Sequence, residues 1–433
     1  MKLLFIYMLF ISSSFAEFGK IDESFLILEP LRWNDIQEIK EFTVDHLDDH
    51  GFELYGPTGT EEWLAQNNIQ YIKLNHTEKS SLDNFPNFKE VEADLVRIAA
   101  INPSITKLFS IGKSVEGRDM WVLKISDNVL YDEIEPEVKY ISSMHGDEIV
   151  GRELTRLFAE DLIKNYGKDP QITDFINNTE IYILPSMNPD GSERGTRANA
   201  NGYDLNRNFP DWKNDDVNQG LGRQIETKNM MSFQSSRHFS LSANYHGGAV
   251  VVNYPWDATY DKHPFDSLVR DLSLSYADLN SEMRNSSRFN RGVTNGAQWY
   301  VLRGGMQDWS YYYHDDLQVT IEVSTQKWPR YSTIPSFYGD NKDSMLTYLI
   351  KVHQGFGLKS SDKSLEVPLQ IFKIENGRDI NLGKYIMSRG EFYKVLEVGS
   401  YKAIVDINGV EHTILFTVQE GIIREKFISI DSL

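Results

Sequence analysis

The sequence predicts an α/β fold built on a largely parallel sheet, with a small acidic α/β segment before it and a small antiparallel β-sandwich after it. Three observations carry that prediction. Between residues 83 and 358, apolar runs alternate with amphipathic stretches, the pattern of buried strands joined by helical connections. From residue 359 onward, short strand-like runs are punctuated by Asn376-Gly377, Arg389-Gly390 and Asn408-Gly409, dipeptides suited to tight turns. Residues 17–82 hold 14 acidic and 5 basic residues and read as strand, helix, strand, helix, strand.

The first element, residues 1–16, has the parts of a secretory signal. Lys2 is the basic start, residues 3–11 are continuously apolar, and Ser14-Phe15-Ala16 is a small-x-small cleavage site. Nine apolar residues are too few to span a bilayer, and no later segment is apolar enough, so the expectation is export without stable membrane insertion. The chain has no cysteine, so stability must come from a core without disulfides. At 433 residues and 40% hydrophobic content, that core can be large. The net charge of −19 argues against nucleic-acid binding, which needs clustered Lys and Arg, and mildly favours basic peptides.

In the acidic segment, residues 25–28, 52–55 and 70–74 read as strands. Asn34 is placed to cap a helix presenting Ile36, Ile39 and Phe42, and Thr60 to cap one through Trp63 and Leu64. Polar residues 75–84 suit an exposed linker. In the central region, residues 138–143 and 180–184 read as buried strands, and 150–165 as an amphipathic helix ending before Gly167. A composition shift at 355–363 precedes strand-like runs at 369–374, 392–398, 401–407 and 413–418.

The chemistry gathers around His145-Gly-Asp-Glu148 and His246-Gly-Gly. Two imidazoles and a carboxylate can hold zinc with one position open, the arrangement of a hydrolase that activates water. His145 and Glu148 lie three apart, so a single turn can aim both inward. Glu322 stands in the apolar, β-branched run Val319-Thr-Ile-Glu-Val323, where a carboxylate is costly unless it has a use.

Further blocks follow in order: Gly117-Arg-Asp-Met-Trp-Val122, Leu184-Pro-Ser-Met-Asn-Pro-Asp-Gly191, Asn201-Gly-Tyr-Asp-Leu-Asn-Arg-Asn-Phe-Pro210, His246 through Asp257, Asn295-Gly-Ala-Gln-Trp-Tyr300, Gly304-Gly-Met-Gln-Asp-Trp309 and Thr320-Ile-Glu-Val-Ser324. In this order they resemble the zinc metallocarboxypeptidases, and among them the regulatory subfamily of the N, E, M and D type. The resemblance runs from about residue 85 to residue 358. It implies a mixed eight-stranded sheet with helices on both faces over residues 83–358, and a transthyretin-like β-sandwich over 359–433. It implies one zinc ion per chain on His145, Glu148 and His246, with Asp204 orienting His145. Glu322 would be the general base and Arg197 the oxyanion stabiliser, Arg194 being a nearby alternative. Asn206 and Arg207 would clamp the substrate carboxylate, and Tyr300 would close over the terminal residue. Asp257, eleven residues after His246, and Gln307 would receive a basic side chain. The implied partners are peptide or protein C-termini and the implied reaction is removal of a terminal Lys or Arg. Animal members of the family are often secreted with cysteines, so the resemblance together with the absence of cysteine here points to a bacterial, periplasmic protein. Residues 17–82 look somewhat like the pro-segment of digestive zymogens, with Lys73 or Lys79 as release points. A permanent N-terminal domain is the alternative. Two other functions remain compatible with the motifs: a hydrolase of cell-wall peptides containing diaminopimelate, and a non-catalytic peptide-binding relative.

Overall fold

In the computed structural model the described residues are 19–37, 39, 41–74, 85–215, 217–421 and 427–433. The expected signal at 1–16 and the linker at 75–84, with Lys79, lie outside them. The chain divides into two compact units, residues 1–74 and 75–433.

The first unit is a four-stranded sheet of β1 (Glu23–Ile27), β2 (Thr43–Asp48), β3 (Gly51–Gly56) and β4 (Tyr71–Lys73) in the order β2-β3-β1-β4, with all neighbours antiparallel. Phe25, Ile27, Phe52 and Leu54 from the strands and Leu64 from the helix Thr60–Gln66 make its core. The structure departs from the sequence reading at two places. The first expected helix is a single turn, Trp33–Ile36, with Arg32 rather than Asn34 at its cap. Ile39 and Phe42 reach the core from irregular backbone, and the chain goes straight into β2, a strand the sequence reading lacked. Thr60 is the first helical residue and not the cap. Gly59 takes the cap position at φ 99°, and the Thr60 hydroxyl donates to the Pro57 carbonyl.

The second unit is built on eight strands: β5 (Thr106–Lys113), β6 (Asp119–Ile125), β7 (Glu137–Ser142), β8 (Glu180–Leu184), β9 (Phe239–His246), β10 (Ala249–Tyr254), β11 (Val293–Asn295) and β12 (Leu317–Ser324). Their order is β11-β10-β12-β9-β7-β8-β6-β5. The four central strands, β12-β9-β7-β8, are mutually parallel, while β10 and β6 run antiparallel to them, so the sheet is mixed. Alternation along the strands feeds two cores. Val138, Tyr140, Ile181 and Ile183 pack with Leu154 and Phe158 of the helix Val150–Asn165 and with Tyr348 of the helix Ile334–Ile350. Ile141, Tyr182 and Leu184 pack with Phe233 of the helix Ile225–Ser235 and Trp309 of the helix Met306–His314. Each fully buried side chain of this size contributes about 1.5–3 kcal/mol. Helices thus cover both faces, and both strand faces read apolar because neither meets water. Lys139, buried in β7, is held by the Asp316 carboxylate and lies 4.5 Å from the centre of the Phe239 ring.

Seven strands follow: β13 (Gly355–Lys359), β14 (Val367–Glu375), β15 (Arg378–Met387), β16 (Glu391–Val395), β17 (Gly399–Ile407), β18 (Val410–Val418) and β19 (Phe427–Ser429). They form a three-stranded sheet, β16-β13-β19, and a four-stranded one, β15-β14-β17-β18. Phe356 and Phe416 stack at 3.8 Å between the two sheets. Asn376-Gly377 and Asn408-Gly409 are two-residue hairpin turns with positive φ at both positions, which suits the strand twist.

Candidate active site

The site assembles where parallel strands end. After β7 the backbone turns through Ser143 at φ 48° and delivers His145 and Glu148 just before the helix Val150–Asn165. Gly146 is required there, because a Cβ would lie 2.0 Å from the Gly191 carbonyl carbon. His246 is the last residue of β9, and Glu322 on β12 is its neighbour in register.

His145 Nδ1 lies 3.0 Å from Glu148 Oε1, and His246 Nδ1 lies 2.8 Å from Glu148 Oε2. The two ring nitrogens face each other at 3.1 Å. All three side chains are buried, and all three donor atoms lie within 4.8 Å of one another. Among the described residues, no other candidate metal cluster combines two imidazoles with a carboxylate. Two imidazole nitrogens and a carboxylate converging from buried side chains fit a divalent zinc ion.

Asp204 sets the orientation. Its Oδ1 lies 2.9 Å from His145 Nε2 and accepts the Asn206 backbone N–H at 2.8 Å. With Nε2 engaged, His145 presents Nδ1 to the centre of the site. Arg197 donates from Nε to Asp204 Oδ2 at 3.0 Å and from a terminal nitrogen to Glu148 Oε1 at 3.2 Å. Arg194 instead pairs with Glu116 and is 44% exposed, so Arg197 is the arginine that reaches the site. Burial acts to raise the Asp204 pKa, but the charges of Arg197, His145 and Arg207 hold it well below the usual carboxylate range. Glu148 behaves likewise: burial pushes upward and the two histidines win, leaving it well below.

Asn206 and Arg207 occupy a short helical turn, Leu205–Arg207, and both are buried. Asn206 Oδ1 accepts the Met306 N–H at 3.0 Å, which fixes its carboxamide. Tyr300 is 7% exposed, with its ring edge-on to Trp299 at 5.0 Å. Glu322 is 4% exposed.

Asp257 is also buried. Its Oδ1 accepts from Gln307 Nε2 at 3.0 Å and from Asn253 Nδ2 at 3.2 Å. Gly296 passes directly over that oxygen, and a Cβ there would lie 1.8 Å from it. Burial, and then the nearby Asp308 charge, push the Asp257 carboxyl well above its ordinary range. Built on Gly305, a Cβ would lie 3.5 Å from Asn206 Oδ1 and 3.7 Å from Asp257 Oδ2, so the backbone of this one residue lies between the two side chains. The sequence reading missed Asn253 and Asp308. Their signal was proximity to Asp257 and Gln307 within the same two blocks.

The family described as zinc carboxypeptidase matches residues 91–344. Carboxypeptidase D of Homo sapiens is 41% identical over 350 residues, 74% of this chain and 25% of that protein, so the chain spans about a quarter of that relative's length. Carboxypeptidase M of Mus musculus is 39% identical over 346 residues, 74% of this chain and 77% of that protein. The fold is similar to that of a crystal structure of carboxypeptidase A from Helicoverpa armigera, with a TM-score of 0.59 at 20% identity, covering 77% of this chain and 97% of that one. The chain belongs to the zinc carboxypeptidase family.

Proposed function

We propose that this chain is a metallocarboxypeptidase that removes a single C-terminal Lys or Arg from peptides or proteins. The observation that carries the basic preference is the Asp257 carboxylate, buried and braced by the Gln307 and Asn253 amides. An uncompensated carboxylate in such a pocket is penalised until a cation arrives.

His145, Glu148 and His246 would hold one zinc ion. Zinc bound there supplies a Lewis acid for the scissile carbonyl and eases deprotonation of water at neutral pH. Arg207, seconded by Asn206, binds the terminal carboxylate, for which a planar guanidinium fork is suited. Arg197 steadies the negative charge that develops on the carbonyl oxygen. Glu322 accepts a proton from the attacking water and returns it to the departing amine. Tyr300 closes over the terminal residue and excludes solvent. Water attacks directly, so no acyl-enzyme forms.

Mass spectrometry of a peptide panel tests the reading. Arg and Lys termini should be hydrolysed roughly 10²-fold better than Leu or Phe, and Asp257→Ala should erase the difference. The preference should also depend on pH. The Asp257 carboxyl protonates at higher pH than an ordinary aspartate, and only its ionised form attracts a cation. KM for an Arg-terminated peptide should therefore rise on acidification from above the ordinary carboxylate range, while KM for a Leu-terminated peptide should not follow. A wild type that cleaves apolar termini best, or muropeptides better than Arg peptides, would overturn the specificity.

The expected signal makes the protein exported, either secreted or periplasmic. No helix among the described residues is long and apolar enough to cross a membrane. The acidic N-terminal unit is proposed as a restraint on large substrates. Limited proteolysis between residues 72 and 84 should raise kcat/KM on protein substrates, and an unchanged value would leave the unit a purely structural role.

A further inference from the structure

The helix Met306–His314 presents two neighbouring side chains to the turn that carries Asp257. Gln307 bonds to the Asp257 carboxylate itself. Asp308, 4% exposed, bonds to the backbone beneath it. Asp308 Oδ1 accepts the Asp257 N–H at 2.9 Å, and Oδ2 accepts the Ala258 N–H at 2.9 Å and the Trp212 indole N–H at 3.3 Å. One carboxylate thus closes on two consecutive peptide N–H groups. An amide side chain could not do the same, because one of its two terminal atoms is a donor.

The opposite side of the turn is held by other segments. Ala297 N–H donates to the Trp256 carbonyl at 2.9 Å, and Leu302 N–H donates to the Asp257 carbonyl at 3.0 Å. The carbonyl side of the turn is therefore tied to the chain around Tyr300, and its N–H side to Asp308. Trp212 lies five residues beyond Arg207, packs tilted against Trp256 at 4.7 Å and stacks on Tyr312 at 4.8 Å. The bonds from Asp308 therefore reach both the turn bearing Asp257 and the segment that follows Arg207. Nothing in the proposed reaction uses Asp308, yet a carboxylate is buried there at a desolvation cost.

We infer that Asp308 is a positioning residue for basic-residue selection, holding the Asp257 turn in place. The inference rests on the proposed role of Asp257. A displaced Asp257 would weaken binding of a terminal cation and leave the chemistry at the scissile bond unaffected. The effect belongs in KM for basic termini and not in kcat for all substrates.

The test uses the zinc-loaded full chain and two peptides that differ only in a terminal Arg or Leu. For Asp308→Asn, kcat/KM on the Arg peptide should fall about tenfold or more, chiefly through KM, as expected for loss of charge-assisted hydrogen bonds. On the Leu peptide it should change by less than about threefold, with zinc content unchanged. Equal losses on both peptides, or an Arg-to-Leu ratio within about twofold of wild type, would overturn the inference. Should Asp308→Asn fail to fold, Trp212→Phe decides. It removes one donor and keeps an aromatic ring, so the ratio should fall about threefold, and an unchanged ratio would count against the inference. A wild type without basic preference overturns the reading of Asp257, and this inference with it. A wild type with that preference beside an Asp308→Asn variant that keeps it overturns this inference alone.

Discussion

Replacing Glu322 with glutamine is expected to lower kcat at least about 10²-fold while zinc stays bound. The two side chains have nearly the same shape, so β12 and its pairing with β9 should survive. A carboxamide cannot take a proton from water, so the loss should fall on the chemical step. Because Glu322 neighbours His246 in register, the control is metal content, measured on the same preparation. Steady-state kinetics on an Arg-terminated peptide supplies the readout. A near-normal kcat in a zinc-replete Glu322→Gln protein would remove Glu322 from the proton transfer and leave the metal site untouched.

Replacing His246 with alanine should have an effect at least as large, by a different route. Glu148 Oε2 accepts from the Gly247 N–H at 3.2 Å and faces His246 Nδ1, so removing the ring opens one side of the donor set. Two ligands in place of three should reduce bound zinc to a small fraction of one per chain and abolish peptide hydrolysis. Elemental analysis after dialysis reads the first outcome and a fixed-time peptide assay the second. Chelation of the wild type should reproduce the loss, and added zinc should reverse it there but not in the variant. Full activity in a metal-free preparation would end the metallohydrolase reading.

How much of this was legible in the sequence follows from where each signal resides. The helix Val150–Asn165 and the strand Glu180–Leu184 were read to the residue. The helix carries a regular apolar stripe that stops before Gly167, and the strand is buried on both faces. The hairpins at Asn376-Gly377 and Asn408-Gly409 were also legible, because turn chemistry is local. The strand Arg378–Met387, which follows the first of these turns, was not: it lies largely exposed, without the apolar alternation that marks a half-buried strand. The strand Thr43–Asp48 was lost because Ile36, Ile39 and Phe42 mimic helical spacing while packing from irregular backbone. Motif spacing brought out His145, Glu148 and His246. Spacing alone could not choose between Arg194 and Arg197, which differ only in what they meet after folding. Asp308 showed only its adjacency to Gln307 for a related reason: its partners are two peptide N–H groups, which no sequence displays, and the distant Trp212 indole.

Asp204 joins parts that the chemistry treats as separate. One carboxylate meets the ring of His145, the guanidinium of Arg197 and the N–H of Asn206. In the proposed reaction, metal retention, charge stabilisation and capture of the substrate terminus would therefore share a mechanical origin and would not be independent traits. Selection for tighter substrate capture through this corner of the molecule would disturb metal loading, and the reverse holds too. Asp257 and Gln307 make no bond to Asp204 themselves, and they connect to this anchor only at one remove, through Met306 on Asn206.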